Sequence, residues 1–174
     1  MADEQDKTLD GLKMAIQMEV DGKEFYTKAS GGSGNDLGKK LLATLAAEED
    51  IHRKVFIGIY EALREKKGWP KVDFRPDGGE ALRTVFSEAI ARTGPKLQSK
   101  AGELDAVRTA REMEGKTYDY YQNQLRKAAS PAEREFYERL SSQEQQHSLI
   151  LADYFEYLQN PAGWFVKKEH PHLD

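Results

Sequence analysis

The stretch LATLAAEEDIHRKVFIGIYEAL, residues 42–63, decides the fold. Its positions Leu42, Leu45, Glu49, His52, Phe56, Ile59 and Leu63 recur at alternating steps of three and four. That is the inward seam of a helix packed in a bundle, apolar above and below, with one Glu-x-x-His pair in the middle. A second segment repeats the pattern with Tyr137, Leu140, Glu144, His147, Leu151, Tyr154 and Leu158. Two further stripes are shorter, Leu12, Ala15, Glu19, Gly22, Tyr26 and Val107, Ala110, Glu114, Thr117, Tyr121. Each carries a lone inward glutamate followed one turn later by a smaller residue.

These four stripes belong to an internal repeat. Residues 12–69 align without a gap on 107–164 at an offset of 95, and 11 of the 58 aligned positions are identical. The matches include Glu19 with Glu114, Glu49 with Glu144, His52 with His147, Tyr26 with Tyr121 and Trp69 with Trp164. Two unrelated helical hairpins would agree mainly at Leu and Ala, so duplication is the reading. It gives a single all-α domain over residues 1–174, a four-helix bundle made of two repeated hairpins.

The expected helices run from Thr8 to Ser30, from Asp36 to Lys67, from Glu103 to Ala128, and from Ser130-Pro131 to about Asn160-Pro161. Gly31-Gly-Ser-Gly34 ends the first, and Gly68 with Pro70 closes the second. Ser130 and Pro131 open the fourth as cap and first helical residue, with Glu133 able to complete a capping box. Residues 71–102 then form a crossover along a bundle roughly 40 Å tall at about 1.5 Å per residue. It carries a short extra helix over Gly79 to Arg92, with Leu82, Val85, Phe86, Ala89 and Ile90 as its apolar side.

The glutamates Glu19, Glu49, Glu114 and Glu144 thus meet at mid-height. Burying one ionised carboxylate costs several kcal/mol after relaxation, on the order of the largest single packing terms. Four such groups need compensating charge. Two divalent ions supply four positive charges, and His52 and His147, neutral, complete the shells. By symmetry Glu49 and Glu144, each beside its own histidine, are the expected bridges, with Glu19 and Glu114 terminal. An oxygen-rich set with one imidazole per ion suits iron or manganese, with zinc or cobalt as substitutes. A solvated face is the ordinary reading of a single Glu-x-x-His, but two such pairs on apolar seams do not fit it. Tyr26 and Tyr121, two turns from Glu19 and Glu114, are core aromatics by position; hydrogen bonding to a ligand carboxylate or electron relay is the functional alternative.

Composition excludes much else. The 174 residues contain no cysteine, which removes disulfides, thiolate metal sites and thiol nucleophiles. A net charge of −4 and the absence of a basic face argue against nucleic acid and anionic membranes. No apolar run approaches membrane-spanning length, the mean hydropathy is −0.77, and the polar N-terminus has no signal-peptide core, so a cytoplasmic protein is expected. Residues 31–40 lack the glycine and Ser/Thr placement of a phosphate loop and have no preceding strand; they form a helix–helix turn. His170 and His172 belong to a polar tail.

Residues 15–26, 48–52, 113–121, 144–147 and 157–164 together resemble the rubrerythrin-like branch of the ferritin-like di-iron carboxylate superfamily. The resemblance implies a ferritin-like bundle whose two iron ions react with hydrogen peroxide or dioxygen and are then reduced again. It also implies a homodimer. Rubrerythrins proper carry a four-cysteine rubredoxin-type domain; with no cysteine here, the donor must be external, such as rubredoxin. They also place a further glutamate one turn after the third-helix ligand, where this chain has Thr117. Peroxidase turnover, iron oxidation for iron handling, and a metal-stabilised bundle without turnover are therefore all open. A quinone-hydroxylase type, which is membrane-associated, is disfavoured by the low hydropathy.

Overall fold

The computed structural model describes residues 2–169, with side chains at 4–167. His170 and His172 lie outside the described residues. The element order is α1 (Ala2–Gly32), α2 (Asp36–Arg64), α3 (Glu80–Thr93), α4 (Ala101–Lys127), α5 (Pro131–Gln159) and α6 (Pro161–Glu169). No described helix is long and apolar enough to cross a membrane.

Helices α1 and α2 form one hairpin, α4 and α5 the other, and α1 meets α4. Capping fixes where the second helix of each hairpin begins. The Asn35 side chain accepts from the Gly38 N–H, and Ser130, its counterpart at the 95-residue offset, accepts from the Glu133 N–H. The two helices that follow are each 29 residues long and occupy equivalent positions of the repeat. At the far end α2 stops at Arg64, three residues before the expected Lys67. There Lys66 adopts φ 58° and the Lys67 N–H turns back to Ala62 O at 3.1 Å, satisfying an end carbonyl.

The crossover climbs the whole bundle. Gln5 Nε2 donates to Leu63 O at 2.9 Å, placing the start of α1 beside the end of α2. Asn35 Nδ2 donates to Glu103 at 2.8 Å, placing the start of α4 beside the start of α2. Residues 65–100 therefore join opposite ends, and α3 packs on α2 and α5 through Leu82, Phe86, Ala89 and Ile90 while Val85 stays half-buried.

Helix α1 begins at Ala2, ahead of the expected Thr8, and runs on through Gly31 and Gly32, and the C-terminal end departs from the expected pattern as well. Asn160-Pro161 does not end the helical chain, because Pro161 opens α6 and Asn160 Oδ1 accepts from the Gly163 N–H at 3.0 Å. A proline that stops one helix is equally suited to the first position of the next.

The core divides into two apolar bodies. One gathers Tyr26, Leu41, Leu45, Val107, Leu151 and Trp164; the other gathers Leu12, Phe56, Tyr121, Phe136 and Leu140. Between them lies a layer of buried Glu19, Glu49, His52, Glu114, Glu144 and His147, none more than 3% exposed.

Candidate metal centre

Each helix of the two hairpins delivers its polar residues to this layer through the same seam that buries its leucines. The six side chains form two overlapping groups, Glu19, Glu49, His52 and Glu144, and Glu49, Glu114, Glu144 and His147. Within each group the potential ligand atoms all lie within 4.8 Å of one another.

Glu49 and Glu144 stand in both groups, and their oxygens are divided between them. Glu49 turns Oε2 to His52 Nδ1 at 3.6 Å and Oε1 to His147 Nδ1 at 3.2 Å. Glu144 turns Oε1 to His52 Nδ1 at 3.0 Å and Oε2 to His147 Nδ1 at 3.5 Å. Glu19 Oε2 approaches only the first ring, at 3.3 Å, and Glu114 Oε1 only the second, at 3.6 Å. Such spacings are those of donors about 2.0–2.2 Å from a shared ion.

Among the described residues, eight buried side-chain nitrogen or oxygen atoms lack a hydrogen-bond partner, and six of them converge here. They are Glu19 Oε2, Glu49 Oε1, both Glu144 oxygens, His52 Nδ1 and His147 Nδ1. Leaving a buried polar atom unpaired costs about 1–3 kcal/mol, so six in one place need a ligand common to all. The chemistry of the donor set, four carboxylates and two imidazoles, fits a pair of divalent metal ions.

The other side of each ring is tied down. His147 Nε2 meets Glu48 Oε2 at 2.6 Å, and His52 Nε2 meets Gln143 Oε1 at 3.0 Å. Gln143 Nε2 also donates to Glu48 Oε2 at 2.9 Å, so a single bridge links the two rings. A carboxylate only accepts; Glu48 therefore orients the Gln143 amide, whose oxygen then takes the His52 Nε2–H. Both histidines thus carry the proton on Nε2 and aim Nδ1 at the carboxylates. Glu48 and Gln143 escaped the reading of the seams because neither lies on the three-four stripe. The signal was there: they occupy the same repeat position, each immediately before a Glu of the layer.

The two tyrosines are core residues that also touch the cluster. The Tyr26 hydroxyl donates to Glu114 Oε1 and the Tyr121 hydroxyl to Glu19 Oε1, each crossing between α1 and α4. Burial, with the nearby carboxylate charges, pushes both phenols well above their ordinary range, so they remain donors. Thr117 is not part of either group; its hydroxyl donates back to Met113 O at 3.0 Å. Its repeat partner Gly22 leaves space for Glu49, whose Cγ would lie 3.4 Å from a Cβ at that position. From the crossover, Phe74 packs edge-on against the His52 ring at 5.6 Å between centroids.

No curated protein and no solved structure gives a significant match to this chain. A family description does: the Rubrerythrin model matches residues 10–155, which span both hairpins and the crossover. The chain belongs to the rubrerythrin family, and its buried carboxylate–histidine cluster is the part of it that fits a di-metal site.

Proposed function

We propose that this protein is a di-iron oxidoreductase that reduces hydrogen peroxide, or dioxygen, with electrons from an external donor. The observation that carries the reading is the division of Glu49 and Glu144 oxygens between the two imidazoles. A carboxylate with one oxygen toward each of two positions is built to span two ions. Iron is favoured over zinc by the oxygen-rich donor set. When bound, a pair of ferrous ions supplies two electrons to one O–O bond.

In this reading Glu49 and Glu144 would serve both ions, Glu19 and His52 would complete one position, and Glu114 and His147 would complete the other. Tyr26 and Tyr121 hold the terminal carboxylates by their Oε1 atoms and leave Oε2 of Glu19 for metal. Glu48 and Gln143 keep both Nδ1 lone pairs inward. The apolar bodies on either side exclude bulk water, which strengthens every charge interaction in the layer. The equivalent hairpins support a duplicated origin for the whole unit.

Anaerobic loading with ferrous iron, elemental analysis and peroxide addition test the proposal. About two irons per chain are expected, with oxidation of the centre and sustained peroxide consumption once rubredoxin and its reductase are supplied. A centre that stays ferrous under peroxide would sink it. Thr117, in place of a fifth carboxylate, favours one second reading, iron oxidation for iron handling. That reading predicts oxidation by dioxygen but no sustained turnover with the donor.

A further inference from the structure

The metal layer is closed on most sides by contacts between helices. On the α1–α4 face Tyr26 and Tyr121 cross to Glu114 and Glu19, and the Tyr120 hydroxyl donates to Gly11 O at 2.7 Å. Above and below lie the two apolar bodies. Within the hairpins α1 packs on α2 and α4 on α5. The α2–α5 face is different, because the crossover covers it. Residues 70–77 have no regular secondary structure there. The Phe74 ring stands between the two helices, its centroid 5.6 Å from that of His52 in α2 and 5.9 Å from that of Phe136 in α5.

Phe74 separates the layer from solvent. It is buried against His52, yet with Phe136 and Arg139 it lines a groove open to the surface. Among the described residues, 70–76 make no backbone–backbone hydrogen bond; Arg139 Nη1 ties them to α5 by donating to Phe74 O at 3.0 Å. A segment held so lightly can lift without melting a helix. Of the three cations lining the groove, Arg75 pairs with Asp73 and Arg139 with Glu135, which leaves the exposed Lys71. The ring behind Phe74 is also the less firmly backed of the two histidines. His52 Nε2 meets the neutral amide of Gln143, where His147 Nε2 meets the Glu48 carboxylate.

We propose that Phe74 is the gate through which metal ions reach and leave the layer, and that residues 70–77 are the strap that lifts it. Crossing either apolar body would strip an ion of its water with nothing in return, at a cost of several kcal/mol. Displacing one ring at the end of a groove leads from solvent to the His52 side of the layer. The inference rests on the metal centre and not on the redox chemistry proposed for it.

A residue that only blocks the way alters the barrier and not the two end states. Removing it therefore speeds entry and exit alike and leaves affinity unchanged. The full chain, freed of metal, is mixed with cobalt(II), and uptake is followed by visible absorption. Release is followed in excess chelator, where the rate no longer depends on chelator concentration. Phe74→Ala is expected to raise both rates several-fold by the same factor, with the number of ions bound unchanged. Tyr120→Phe, which removes the bond to Gly11 O on the opposite face, is expected to leave both rates as they are. Faster release with unchanged uptake would mean a loosened site and would overturn the gate, as would two unchanged rates. Equal acceleration in Tyr120→Phe would place the entrance elsewhere and overturn it too. Should Phe74→Ala fail to fold, Phe74→Leu replaces it, with the same directions expected. If the unsubstituted chain takes up no cobalt, the metal centre falls and the gate with it.

Discussion

His147 places its Nε2 2.6 Å from Glu48 Oε2, whereas the equivalent nitrogen of His52 faces the neutral amide of Gln143 at 3.0 Å. A carboxylate behind an imidazole raises its basicity more than an amide does. The two halves of the repeat therefore present inequivalent rings to otherwise matching carboxylates. Replacing Glu48 with alanine is expected to weaken the His147 position by about 10–100-fold. Stepwise metal titration by calorimetry reads this directly. Glu48→Gln should bring the two positions closer in affinity, and two unchanged binding steps in both variants would contradict the assignment.

The sharing of Glu49 and Glu144 between the two groups, against the single membership of Glu19 and Glu114, predicts different losses on substitution. Glu49→Ala or Glu144→Ala should reduce metal from about two ions per chain to near zero, because both positions lose a ligand. Glu19→Ala or Glu114→Ala should leave about one. Elemental mass spectrometry after gel filtration distinguishes the patterns, and equal loss in all four variants would remove the bridging assignment.

Much of this architecture is legible in the chain because one seam carries both packing and chemistry. The steps of three and four that bury Leu45, Phe56, Leu140 and Leu151 also set Glu49, His52, Glu144 and His147 at mid-height. Local capping is legible for the same reason: Ser130 and its neighbours satisfy backbone groups within one turn. What is not legible depends on distant elements. Nothing near Phe74 announces that it packs on His52, and the direction of the Tyr121 hydroxyl depends on where α1 places Glu19. Helix α6 was hidden by the dual meaning of proline, which ends one helix and begins another at Asn160-Pro161.

At the top of the bundle, Gly38 lies in the first turn of α2, and a Cβ there would run into the Ser33 hydroxyl and the Tyr154 hydroxyl. Both are buried, and the Gly38 N–H is held by Asn35 Oδ1 at 2.7 Å, so the backbone has little freedom to move away. Gly38→Ala is expected to destabilise the fold by about 1–3 kcal/mol through overpacking. Gly31→Ala meets no atom within 4 Å and should be near neutral or slightly stabilising. Urea unfolding of the two variants, both loaded with metal, checks the contrast.

Metal loading should release protons, and affinity should rise with pH. In the protein stripped of metal, burial and the Glu49 charge push Glu19 well above the ordinary carboxyl range, and burial and Glu144 do the same to Glu114. Burial alone would lower both imidazoles, but Glu19 and Glu144 around His52, and Glu114 and Glu144 around His147, outweigh it and raise them. At Glu49 burial is overcome by hydrogen bonding to Glu19 and the two histidines, and at Glu144 burial and Glu49 are overcome by the histidines, so these two stay ionised. Glu19, Glu114 and both imidazoles thus hold protons more readily than the free groups do, and a proton on any of them occupies a position the ligand form leaves to metal. Each raised group contributes stability below its unfolded value and loses that contribution as pH climbs through its folded value. Metal has to displace those protons, so it competes best where they bind least. The gain in Tm on adding metal should be larger near about pH 8 than near about pH 6, with protons released on loading in weakly buffered indicator solution. A pH-independent gain with no proton release would mean that the four buried groups already stand in their ligand forms.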